Sequence, residues 1–121
     1  MLSELAFADA TELAELVRRG EVTAGELVQA SIARIEALNT QLNAVVTPMY
    51  EQALAAAEHV DPSTPFAGVP LLIKDLLACC AGVRNTNGSR LLAKHVASAD
   101  SELVARQRRA GLVPVGQTCL A

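Results

Sequence analysis

The hydrophobic positions along the chain change period more than once. From Asp9 to Arg19 they fall at Leu13, Leu16 and Val17, one stripe of a short amphipathic helix, with Glu15 and Arg19 an i, i+4 pair in the favourable order. Gly20 supplies the stop. Thr23 and Glu26 stand at capping-box spacing. Leu27, Val28, Ser31, Ile32, Ile35 and Leu38 then form a continuous helical stripe, so the spacing predicts a helix over 24–38 with Asn39 as its left-handed cap. Val45 and Val46 centre a short strand over 43–47. Pro48 suits the first turn of a third, Ala-rich helix over 49–59, and the Pro- and Ser-containing stretch 61–65 is loop.

Beyond Pro70 the pattern is different. Leu71, Leu72 and Ile73 run without a polar break, as in a strand buried on both faces, and predict a strand over about 71–75. Residues 82–89 read as loop and Arg90 to Ala93 as one helical turn. Asp100 is placed to cap a helix over 101–110, with Leu103 and Val104 on its apolar face, Ser98 and Ser101 at its start, and Glu102 and Arg106 an i, i+4 pair. Gly111 ends that helix, and a strand over 112–116 follows. Strand, long loop, helix, strand is a crossover unit. Crossover units build parallel sheets with both faces covered, and so few strands do not make such a sheet self-sufficient. The chain therefore reads as the N-terminal part of a larger α/β domain.

Composition narrows the class. The chain has 121 residues, the length of one small domain. Ten Lys and Arg against thirteen Asp and Glu give a charge of −3, which argues against a nucleic-acid partner. At 51% apolar residues the chain is not a disordered polar segment. No apolar run approaches a membrane span, and the first ten residues, with Glu4 and Asp9, lack the positive region of a signal peptide. Cys79, Cys80 and Cys119 are odd in number, two of them adjacent, and fit neither a disulfide framework nor a zinc site with His59 and His95. They read as reduced, semi-buried thiols of a cytoplasmic protein, with a strained Cys79–Cys80 disulfide the alternative.

Eight of the ten cations are Arg. Lys94 stands in a polar context beside His95 and reads as solvated. Lys74 ends the run Leu71-Leu72-Ile73, and strand alternation puts it on one face with Leu72 and Leu76, while Asp75 points the other way. An amine held among apolar groups favours its neutral form, and a neutral lysine can serve as general base or Schiff-base former, which arginine cannot. The competing reading is a strand-end lysine that snorkels to water.

The stretch from Pro65 to Leu76, containing Gly68-Val69-Pro70-Leu71-Leu72-Ile73-Lys74-Asp75, with Gly82-Val83 and Asn87-Gly88-Ser89-Arg90 after it, closely resembles the amidase signature family. The early helices, the segment from Leu38 to Val46, and the segment from Ala110 to Thr118 resemble the N-terminal third of the same family. The resemblance implies an α/β fold with helices packed on a mixed, partly parallel sheet. Residues 1–60 would be its helical part, and 66–121 the catalytic-lysine strand and crossover unit. It also implies a Ser–cis-Ser–Lys amidase acting on a small-molecule amide through a serine acyl-enzyme. Lys74 is then the base that takes a proton from a cis-peptide serine, which deprotonates the nucleophilic serine, and no cofactor or metal is needed.

The Gly- and Ser-rich segment that supplies both serines and the oxyanion donors has no counterpart within 1–121, and Ser89 belongs to an upstream loop pattern. The chain alone is expected to be inactive and to self-associate through exposed apolar surface. Smaller departures are Gln117, where the family commonly has lysine, Cys119, where it has asparagine, and Cys79-Cys80, where it is often polar. Two other readings compete: a truncated non-catalytic remnant or interaction module, and the amidase component of a tRNA-dependent amidotransferase. Leu76 disfavours the latter, because those chains commonly carry Asn after the Lys-Asp pair.

Overall fold

The computed structural model describes residues 2–119. A 3-10 segment at Leu2–Phe7 leads into α1 (Ala10–Arg18), α2 (Ala24–Leu42), β1 (Val45–Pro48) and α3 (Tyr50–Ala57). Then come β2 (Pro70–Lys74), a 3-10 turn at Arg90–Leu92, α4 (Glu102–Arg109) and β3 (Val113–Thr118). The strands form one mixed sheet in the order β1-β3-β2, with β3 antiparallel to β1 and parallel to β2. The crossover expected from the sequence is present: β2 reaches β3 through the loop after Lys74 and α4.

Local signals account for the starts of α1 and α2. Asp9 caps α1 by accepting from the Glu12 N–H at 2.8 Å. Thr23 and Glu26 close both bonds of the capping box, at 3.1 and 2.9 Å, an arrangement worth about 1 kcal/mol or more to the helix. Three other boundaries differ from expectation. α2 runs four residues past Leu38, and its left-handed cap is Asn43, at φ 49°, not Asn39. The Asn39 side chain instead clamps the following segment, accepting from the Ala44 and Val45 N–H groups and donating to the Val45 carbonyl, each at 2.9 Å. The cap of α4 is Ser101, which accepts from Val104 N–H, and not Asp100. Asp100 accepts from Ala81 N–H at 2.8 Å and pairs with Arg108 at 3.0 Å, tying the loop to the helix. Pro48 closes β1 rather than opening α3. It lacks a donor, and an edge strand tolerates that.

Two apolar clusters hold the sheet. Val113 and Val115 pack with Ala24 and Val28 of α2 and Ala53 and Ala57 of α3. Ile73 packs with Met49, Cys80, Val83 and Val104, so α4 and the loop before it form the second layer. Val104 is fully buried, but Leu103 is 56% exposed, so only half of the apolar pair expected on α4 faces the core. Gly111, at φ 98°, lets the chain turn from α4 into β3 directly against Ala67. A Cβ here would sit 2.8 Å from the Ala67 Cα. That contact, with the Gly68 N–H donating to the Gly111 carbonyl at 3.0 Å, aligns the start of β2 with the start of β3.

The ladder between β2 and β3 contains one irregularity. Leu71 pairs with Pro114 and Leu72 with Gly116, so Val115 is skipped. Register then resumes with Ile73 opposite Gln117 and Lys74 opposite Thr118. β2 is an edge strand in this sheet, and Leu72 is 43% exposed. The expectation of a strand covered on both faces is therefore not met: the residues described cover the Ile73 face and leave much of the other open.

Candidate functional site

The alternation read from the sequence around Lys74 holds. Ile73 and Asp75 are buried on one side of β2, whereas Leu72, Lys74 and Leu76 are exposed on the other. Lys74 makes no ion pair or side-chain hydrogen bond with any described residue. The apolar enclosure expected around its amine is not built by residues 2–119. The leucines on its face are partly open to solvent as well: Arg34 and Ile35 of α2 flank Leu72 but leave it 43% exposed, and Leu76 is 39% exposed.

Asp75, read from the sequence as merely facing away from Lys74, organises the loop that follows. It is 2% exposed. Its carboxylate accepts from the Thr86 backbone N–H at 2.9 Å and from the Thr86 hydroxyl. Around this anchor Asn85, equally buried, donates to the Ala78 carbonyl at 2.9 Å, and Asn87 accepts from Leu77 N–H at 2.9 Å. Buried amides that each satisfy a loop backbone group rigidify the segment. Arg84 bridges to Val96 across the loop, which forms a closed Ω-like turn ending near its start. The Asn-Thr-Asn run was the available sequence signal, since such side chains bond local backbone in turns, but their partners are some ten residues away and are set by the fold.

The serines fall in structural roles. Ser89 accepts from Leu91 N–H and caps the 3-10 turn, consistent with its exclusion as nucleophile. Ser101 caps α4, and Ser63 is bonded to Asp61. Ser98 is exposed outside α4. Lys94 is exposed, as expected.

The three cysteines are free. Cys80 is completely buried and Cys79 half-buried, but Cys119 is exposed, so the semi-buried description fails for that residue. Burial pushes the Cys80 thiol up, against a smaller opposing pull from the Arg108 guanidinium. Gln117 is fully buried opposite Thr47 and Ile73. Among the described residues its amide atoms have no partner, and neither has the Thr47 hydroxyl.

A chain with this crossover has counterparts among known proteins. The family model described as Amidase matches residues 26–121, and the chain belongs to that family. It is 43% identical over 112 residues to a 6-aminohexanoate-cyclic-dimer hydrolase of Paenarthrobacter ureafaciens, a match covering 91% of this chain and 22% of the hydrolase. It is 44% identical over 112 residues to a lipoamidase of Enterococcus faecalis, covering 92% and 15%. A glutamyl-tRNA(Gln) amidotransferase component from Alkalilimnicola ehrlichii is also 43% identical over 112 residues, covering 88% and 23%. A solved structure of 6-aminohexanoate cyclic dimer hydrolase superposes with a TM-score of 0.85 at 43% identity, over 91% of this chain and 23% of that one. The chain thus spans less than a quarter of the length of these relatives, and what it matches is their N-terminal portion. The fold is that portion of the amidase signature fold: helices on a small mixed sheet.

Proposed function

We propose that residues 1–121 are the N-terminal part of a single amidase domain in a cytoplasmic enzyme that hydrolyses a small-molecule amide, with Lys74 as the general base. The helical part is 1–60, and 66–121 carries the lysine strand and the crossover. The observation that carries this reading is the position of Lys74. It ends a parallel strand beside β3, on the more exposed face of β2, while its neighbour Asp75 is spent on loop structure. Open α/β sheets place reactive groups at the carboxyl ends of their strands. Serines contributed from beyond residue 121 would meet the amine there, and the same continuation would enclose Leu72 and Leu76. Lys74 takes the proton of the cis-serine, that serine deprotonates the nucleophile, and attack on the amide carbonyl gives an acyl-enzyme and releases the amine. Water then releases the acid.

The bare chain holds the base without the nucleophile, so it is inactive. Its exposed leucines drive self-association until they are covered. A second reading, the amidase component of an amidotransferase, is supported by the equal identity to the Alkalilimnicola protein. An assay of a serine-bearing fusion with free amides separates the two: turnover without a tRNA-bound acceptor or a partner chain supports the amidase.

A further inference from the structure

A hollow of about 630 Å³ lies on the side of the sheet opposite Lys74, at the carboxyl ends of β2 and β3, where Asp75 and Cys119 line it. Arg84, Thr86, Ser89 and Arg90 line it as well. The volume is that of a small-ligand pocket.

Positive charge gathers around it. The arginines at the ends of α1 and along α4 (Arg18, Arg19, Arg106, Arg108 and Arg109) are each paired with a nearby carboxylate. Arg84 and Arg90, like Arg34 on α2, have no ion pair among the described residues, and Arg84 makes only a 3.5 Å contact to the Ala93 carbonyl. Residues 76–99 contain Arg84, Arg90 and Lys94 and no Asp or Glu, in a chain whose net charge is −3. The one carboxylate in the hollow, Asp75, is already engaged by both donors of Thr86 and is buried. The Asp75–Thr86 bonds and the buried Asn85 fix the loop that presents both arginines. Two guanidinium forks over one fixed hollow match a planar or tetrahedral oxyanion, which each can grip through paired N–H donors.

We propose that this hollow is a binding site for the anionic head, carboxylate or phosphate, of a small molecule. Asp75, which lines the hollow, points away from Lys74 on β2, so the hollow and the amine lie on opposite faces of that strand.

The test uses the 121-residue chain and phenylglyoxal, which modifies arginine, with each site's rate read by mass spectrometry. Succinate and inorganic phosphate are the two probes, propionamide the neutral control, all at constant ionic strength. Arg34, exposed on α2 away from the hollow, is the internal reference. With a probe at tenfold its Kd, modification of Arg84 and Arg90 should slow by about tenfold while Arg34 is unchanged. Protection by succinate alone assigns a carboxylate, by phosphate alone a phosphate, and by both the shared oxyanion chemistry. Arg90→Gln should raise the concentration of probe that half-protects Arg84. Equal rates at Arg84 and Arg90 with and without both probes overturn the proposal. So does protection that Arg34 shares, or protection of Arg84 that Arg90→Gln leaves unchanged.

Discussion

Asp75 and Thr86 are joined by two hydrogen bonds to a single buried carboxylate, one from the Thr86 backbone and one from its hydroxyl, eleven residues along the chain. This pair sets where the loop after the lysine strand returns to the sheet. It also keeps Asp75 buried while the adjacent Lys74 is exposed on the other face of β2. Asp75→Asn keeps an acceptor for the backbone N–H but loses the charge that strengthens both bonds. We expect it to lower stability by about 1–3 kcal/mol, the range for a hydrogen bond to a charged group or an unsatisfied buried polar group. Urea unfolding of Asp75→Asn, Thr86→Val and the double variant checks this. The double variant should lose less than the sum of the two single losses.

Gly111 and Gly82 both have positive φ, at 98° and 74°, but differ in their surroundings. A Cβ at Gly82 meets nothing within 4 Å, whereas one at Gly111 meets the backbone of Ala67 at 2.8 Å. Gly82→Ala should cost only the left-handed strain, about 1–2 kcal/mol. Gly111→Ala adds a clash with backbone that cannot turn aside, about 1–3 kcal/mol more for overpacking. Thermal melts of the two variants should therefore rank Gly111→Ala well below Gly82→Ala.

The cysteines should react in order of exposure. Ellman's reagent at neutral pH should label Cys119 first and Cys80 only on unfolding, since Cys80 is buried and its thiol is pushed up. A thiol raised above its unfolded value contributes stability that is fully present below the unfolded pKa and is lost as pH rises through the folded one. Stability should thus fall on the alkaline side, above about pH 8.5. Cys80→Ala should flatten that limb, which urea midpoints measured across the neutral-to-alkaline range would reveal.

Leu72, Leu76 and Leu77 are 43, 39 and 79% exposed beside the free edge of β2. An apolar edge strand of this kind promotes association. Sedimentation velocity of the 121-residue chain should show species larger than monomer, and Leu76→Lys with Leu77→Lys should shift it toward monomer. A sharp, monomeric parent would show that the open face needs no cover.

What was legible in the sequence was what neighbours in sequence decide. The Thr23–Glu26 box, the stop after Arg19, the loop at 61–65 and the parallel relation of β2 and β3 all follow from spacing or from chain reversal rules. The failures have a shared cause. Asn39 and Asp100 both have the right chemistry for a helix cap, and both bond elsewhere because a partner segment is nearer: 44–45 for Asn39, Ala81 and Arg108 for Asp100. Leu72 carries the signature of a doubly covered strand, but covering depends on what packs there, and α2 reaches it only in part. For Lys74, the face shared with Leu72 and Leu76 was legible from strand alternation. Its solvent exposure was not, because an apolar run states a preference for burial and does not supply the neighbours. For the anchoring of Asp75 by Thr86, the Asn-Thr-Asn run signals only that such side chains bond backbone, and the fold chooses the partner.

Whether Lys74 is a base and not simply a cation is decided most directly by one measurement. Residues 1–121 are joined to the remainder of the Paenarthrobacter hydrolase, the relative 43% identical over this segment, and amide turnover is compared for the parent, Lys74→Ala and Lys74→Arg. A base is lost in both variants, because a guanidinium holds its proton at neutral pH. Each should then lose about 10²–10⁴-fold in kcat or more, with the two within a small factor of each other. Near-parental turnover by Lys74→Arg would contradict the assignment, since only a positive charge would then be needed at that position.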